Sequence, residues 1–251
     1  MDNNLRLALV GNPNSGKSSL FNALTGSRQK VGNYPGVTVE RRAGSFTTAD
    51  GRMVDVVDLP GTYSLTPHSP DEAITRDVLI GTSTLERPLD AIVCVIDATS
   101  LRLHIRFILE LKTLGIPILV ALNMMDLANR NAIEIDQARL AQELGVPVIP
   151  TVAVRRAGIT DLINAFSTDA WASLWQAFPD SQSAQGDLST TRQFQSEARR
   201  IATAATLHEG FEHALTRRLD AAVLHPIAGP FLLLLVLFVM FQAVFSLAEA
   251  P

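Results

Sequence analysis

The sequence predicts an α/β fold: a mostly parallel six-stranded sheet with flanking helices, followed by a small all-α domain and the first helix of a membrane domain. Three observations predict it. Short apolar runs alternate with amphipathic stretches from residue 5 to about 167, the pattern of strands joined by helical crossovers. Strand signals fade over 168–225, where Ala, Gln, Arg and Leu dominate around the polar stretch Asp180–Thr190. From Pro226 to Ala248 the chain then carries no charged residue. Domains are therefore expected over 1–167, 168–225 and 226–251.

Leu5–Val10 is the first expected strand; it has no basic leader and runs straight into a glycine loop, so it does not read as a signal peptide. Lys17–Thr25 follows as a helix. Arg28–Val39 holds two glycines and a proline, which predicts a mobile loop. Gly44–Thr48 and Val54–Asp58 flank Asp50-Gly51, a hairpin signal that makes one sheet edge antiparallel. Asp71–Gly81 reads as a helix opened by acidic residues, Ala91–Asp97 as a buried strand containing Cys94, and Leu101–Leu114 as an amphipathic helix. Ile118–Asn123 and Val146–Pro150 complete the strands, with helices at Asp136–Leu144 and Ile159–Phe166.

Trp171 and Trp175, spaced i, i+4, are expected to pack within the helical domain. A helix over about 191–224 would align Phe194, Ala198, Ile201, Ala205, Phe211, Leu215 and Leu219. Residues 227–247 contain only Gln242 and Ser246 as polar side chains, and as a helix they reach roughly 30 Å, the depth of a bilayer core. A lipid bilayer is thus the expected partner of 227–248. Arg217 and Arg218 on its N-terminal side leave residues 1–225 in the cytoplasm.

Composition excludes several classes. With 21 basic and 25 acidic residues the net charge is −4, which argues against retention on nucleic acid by bulk charge. One cysteine excludes an internal disulfide framework and a Cys-rich metal site. His68, His104, His208, His213 and His225 do not cluster as ligands and read as structural or solvated.

Gly11-Asn12-Pro13-Asn14-Ser15-Gly16-Lys17-Ser18 matches G-x-x-x-x-G-K-[ST] between an apolar strand and a helix. Phosphate oxygens must lie against successive main-chain N–H groups there, which requires small residues at Gly11 and Gly16. Lys17 would reach the β- and γ-phosphates, Ser18 would bind Mg²⁺, and Ser19 closes the loop. Downstream, Asp58-Leu59-Pro60-Gly61 ends a strand: Asp58 can hold the same Mg²⁺ and Gly61 N–H can bond the γ-phosphate. Between them, Thr38 would complete the metal shell and sense the γ-phosphate, with Gly36 and Val37 beside it. Asn123-Met124-Met-Asp126, followed by Leu127, suits guanine, whose N1–H and N2–H₂ donors one carboxylate can accept together. A last loop with Val152, Ala153 and Val154 would help hold the base.

In order and spacing these elements resemble a TRAFAC-class small G domain, a P-loop GTPase. Val31–Glu40 and Leu219–Gly229 are similar to the bacterial ferrous iron transporter B family (FeoB). That resemblance implies GTP and GDP as ligands, slow Mg-dependent GTP hydrolysis, and a role in gating or driving Fe²⁺ uptake at the inner membrane. It implies a guanine-dissociation-inhibitor-like helical domain at 168–225, a polytopic membrane domain following the first span, small accessory iron-transport proteins as partners and no nucleic acid. It further implies a potassium ion at Asn14, completed by the Gly32–Val37 backbone, where Asn14 alone would read as a loop cap. Lys17, Asn14, Thr38 and Gly61 carry the hydrolysis in this reading. Thr62 stands where Ras-type domains have Gln, so water must be oriented by main-chain groups. A ribosome-assembly or tRNA-modifying GTPase, or a nucleotide-gated switch with incidental hydrolysis, are the alternatives.

Overall fold

The computed structural model describes residues 4–26, 29–34, 39–83, 87–176, 191–209, 223–226 and 228–248, and the chain divides into units 1–208 and 209–251. In the first unit the described elements are β1 (Leu5–Gly11), α1 (Lys17–Thr25), β2 (Gln29–Asn33), β3 (Glu40–Thr47), β4 (Met53–Asp58), α2 (Pro70–Ile80), β5 (Ala91–Asp97) and α3 (Leu101–Lys112). They continue with β6 (Ile118–Asn123), α4 (Met125–Arg130), β7 (Ile133–Ile135), α5 (Gln137–Leu144), β8 (Val148–Pro150), α6 (Ile159–Asn164), α7 (Thr168–Gln176), α8 (Thr191–Ala205) and β9 (Thr206–Glu209). Helix α9 (Ala228–Ala248) lies in the second unit.

The sheet runs β2-β3-β4-β1-β5-β6-β8, parallel from β4 through β8 and antiparallel from β2 to β4. Alternation along β1 shows why both faces carry helices. Leu5, Leu7 and Leu9 point to a cluster with Leu20 and Phe21 of α1 and Leu162 of α6, whereas Ala8 and Val10 meet Val78, Ile105, Ile108 and Leu140 of α2, α3 and α5. The expected hairpin is present: Thr48 N donates to Arg52 O and Gly51 adopts φ +83°. Ser69 caps α2 by accepting from Glu72 N, while the Glu72 carboxylate accepts from the N–H of His68, one residue before the cap.

The sheet has seven strands, not six. The additional strand, β2, falls inside the segment expected to be a mobile loop, paired in register from Gln29↔Gly44 to Asn33↔Glu40. At a free edge with both faces in water (Val31 is 64% exposed) it shows no apolar alternation, so its signal is main-chain pairing alone.

The interval expected to be purely helical contains β9, which pairs with β7. Helix α8 therefore stops at Ala205, whose carbonyl accepts from Asp136 N, instead of running to 224; Phe211, Leu215 and Leu219 lie outside the described residues. Its Ala198, Ile201, Ala202 and Ala205 join the cluster of α3 and α5. Trp171 packs on Phe166 at 5.8 Å with the Arg52 guanidinium over its ring, against the sheet unit; the Trp175 side chain is outside the described residues.

Among the described residues no helix is long and apolar enough to cross a membrane. In α9 the side chains are described over 229–244, where all but Gly229 are exposed, and the helical backbone continues over Ala228–Ala248.

Candidate functional site

The site lies where β1, β4, β5 and β6 end. Gly11, the last residue of β1, sits so close to β5 that a Cβ would come 2.4 Å from Val95 O. Gly16 has φ +84°, and a Cβ there would fall 2.2 Å from Asn123 Nδ2. Both positions thus require glycine. Asn14, between them, also takes a left-handed conformation at φ +65°, which asparagine tolerates better than most residues. The loop turns through Ser15 N donating to Asn12 O, and α1 starts at Lys17. Over it opens a cavity of about 430 Å³ lined by Asn12–Asn14, Gly16–Ser19 and Gly61. Two buried groups behind the loop, Asn12 Oδ1 and Ser15 Oγ, have no partner among the described residues.

Lys17 Nζ forms an ion pair with Asp58 Oδ1, and Asp58 is only 6% exposed. Burial pushes the Asp58 carboxyl above the usual carboxylate range, against the pull of Lys17. The turn after Asp58 is pinned to β1 and α2: Leu59 N donates to Leu9 O and Thr62 N to Gly11 O of β1, and Thr75 Oγ1 of α2 donates to Pro60 O. A Cβ on Gly61 would stand 3.2 Å from Pro13. Thr62 is buried and its hydroxyl donates to Ser64 O, so it does not face the cavity mouth as a water-orienting group.

Asn123, at the end of β6, is buried and joins two loops. Its Nδ2 donates to Ser15 O at 3.0 Å, while its Oδ1 accepts from Ala153 N at 3.0 Å and Thr151 Oγ1 at 3.3 Å. Met124 then turns left-handed at φ +62°, which puts Asp126 in the first turn of α4, the end that favours a carboxylate. The loop carrying Val152 to Val154 is closed by a Val152–Ala157 bridge and by Arg156 donating to Ala23 O. Gly158, at φ +73°, lies under Pro150 O, which a Cβ would meet at 2.0 Å. Val154 and Leu127 are exposed and Ala153 is buried.

Lys17, Asp58 and Gly61 are thus brought together at the Gly11–Ser18 loop, and Asn123 connects that loop to the one holding Ala153. Gly36, Val37 and Thr38 lie outside the described residues. Two features escaped sequence reasoning. Arg155 Nε stands 3.5 Å from Asp126 Oδ2, and Tyr34 is buried with its hydroxyl lacking a partner among the described residues. The basic pair Arg155-Arg156 after the base loop was a signal for the first; an aromatic in a turn-rich segment was a weak one for the second.

The family model "Ferrous iron transport protein B" matches residues 5–166. The Fe(2+) transporter FeoB of Escherichia coli K12 is 48% identical over 158 residues, 63% of this chain and 20% of that protein. The match therefore spans about a fifth of the length of the curated relatives. The cytosolic domain of L. pneumophila FeoB is similar at a TM-score of 0.67 and 32% identity, covering 81% of this chain and 100% of that one. A GDP-bound mutant of the S. thermophilus FeoB G-domain is similar at a TM-score of 0.58 and 38% identity, covering 74% of this chain and 64% of that one.

Proposed function

Because the chain belongs to the ferrous iron transport protein B family, we propose that it is the GTP-binding, slowly GTP-hydrolysing cytoplasmic part of a ferrous iron uptake transporter. One observation carries the reading: the lysine loop, the Asp58 turn and the Asn123–Asp126 loop meet at one end of the sheet, with Asn123 hydrogen-bonded to both the phosphate loop and the last base loop. The GDP bound by the S. thermophilus G-domain supports it.

In this reading the loop amides from Gly11 to Ser18 wrap the phosphates and Lys17 leaves Asp58 for the β- and γ-phosphate oxygens. Gly61 N–H bonds the γ-phosphate, and Asp126 accepts the guanine N1–H and N2–H₂. Ser18, Asp58 and Thr38 are hard oxygen donors that suit magnesium. When bound, the metal neutralises charge on the phosphates. Asn14 with the Gly32–Val37 backbone would hold potassium, whose charge would do there what an arginine finger does, neutralising charge on the phosphates. With the Thr62 hydroxyl turned to Ser64 O, attacking water is oriented by main-chain groups, and turnover of GTP and water to GDP and phosphate is slow. Residues 227–248, apolar apart from Gln242 and Ser246, would form the first span of the inner membrane, leaving residues 1–225 cytoplasmic. The membrane domain beyond it would carry Fe²⁺, with small accessory proteins as partners. We place the helical domain at 168–225 and the membrane domain from 226.

The test is phosphate release from GTP and ATP in potassium and in sodium buffer. Hydrolysis selective for GTP and faster in potassium is expected. ATP preferred over GTP overturns the guanine assignment, and equal rates in the two buffers overturn the potassium site.

A further inference from the structure

Asp126, the carboxylate that chooses the base in the reading above, already has a cation beside it: Arg155 Nε lies 3.5 Å from its Oδ2. The backbone carrying Arg155 is held on three sides, by Ala153 N on Asn123 Oδ1, by Arg156 on Ala23 O and by the Val152–Ala157 bridge. Its side chain is 64% exposed and free to swing outward. Guanine offers Asp126 the N1–H and N2–H₂ of one edge, and those nitrogens with the carbon between them are a guanidine fragment. Arginine carries the same fragment with a full positive charge. A carboxylate placed to accept the one is placed to accept the other.

We propose that Arg155 competes with guanine for Asp126 as an internal substitute for the base, so that guanine binds by displacing it. The proposal rests on Asp126 being the residue that reads guanine. Arg155 then sets how tightly guanine nucleotides are held, because part of the empty protein has its base reader occupied and apparent affinity falls by that fraction. An exposed ion pair of ordinary strength weakens binding by about two- to fivefold. The competing role for an arginine here, lying on the face of the purine, has the opposite sign: the side chain would then add affinity.

The experiment titrates the full chain in detergent micelles with fluorescent methylanthraniloyl-GDP. Arg155→Ala is expected to lower the dissociation constant about two- to fivefold at low salt. The difference should shrink between about 50 mM and 500 mM salt, because screening weakens the pair in the unmodified protein. Arg155→Lys, which keeps the charge and loses the guanidinium plane, should fall between the two. In an Asp126→Ala background Arg155→Ala should change nothing, since the group competed for is gone. Equal or weaker binding by Arg155→Ala, or an effect that survives Asp126→Ala, overturns the exchange while guanine selectivity stands. Binding of ADP as tight as GDP by the unmodified chain overturns the reading of Asp126, and the exchange with it.

Discussion

Lys17 and Asp58 neutralise one another at a largely buried position. Removing one partner of a buried pair typically costs about 3–5 kcal/mol; with both ends retaining some exposure we expect Lys17→Ala to cost about 2–3 kcal/mol in urea unfolding. The same variant should abolish phosphate release from GTP, measured under saturating nucleotide. Asp126→Ala should lose the preference for GDP over ADP yet keep triphosphate affinity, read by competition binding. Gly16→Ala brings a methyl onto Asn123 Nδ2 and a strained φ, so the loop must shift and GDP affinity should fall at least tenfold in calorimetry, about 1.4 kcal/mol. The places of Gly16, Lys17 and Asp126 are legible in the sequence because the motifs that carry them fix their spacing from the ends of β1 and β6. The Arg155 side chain is not, since its direction depends on a short 3-10 turn at Ala153–Arg155 and on the left-handed Arg156 after it.

Helix α7 is moored by a turn residue. Asp50, in the β3–β4 hairpin, accepts from Thr48 Oγ1 and from both the N–H and hydroxyl of Thr168 at the start of α7. These bonds, Thr48 first, hold the Asp50 carboxyl well below the usual carboxylate range. A lowered pKa means the unfolded chain takes up its proton first, so the tie contributes fully above about pH 4 and is lost only as pH falls through the lower folded value. Asp50→Asn should therefore loosen α7, seen as altered Trp171 fluorescence at neutral pH, and should flatten the acid limb of the stability profile. Elements with unbroken apolar runs, such as β5 and β6, or with strong helical periodicity, such as α3, were legible. Strand β2 was not, because Gly32 and Asn33 read as turn residues and an edge strand needs no buried face. Strand β9 was hidden behind the helical spacing that carries on past Ala205, and the three-residue β7 it pairs with is too short to show a period.

Across the molecule, α8 does more than connect. Its Ile201 is buried in the same cluster as α3 and α5, and Arg200 bridges Glu143 of α5 at 2.8 Å. Ile201→Ala should cost about 2–4 kcal/mol and lower the unfolding midpoint of the sheet and α8 together, as one transition in circular dichroism. The layered α/β plan was legible as a whole because strands and helices alternate; that α8 belongs to the sheet's own core was not, because its apolar face does not reveal what it packs against. Chain order adds a matter of timing. The last strand of the large sheet ends at Pro150, roughly 80 residues before α9 begins at Ala228. At about 5–20 residues per second the ribosome needs on the order of 4–16 seconds to make that stretch. Every strand of the large sheet is therefore synthesised seconds before the first residue of α9, and the sheet has that interval to close while α9 is still unmade.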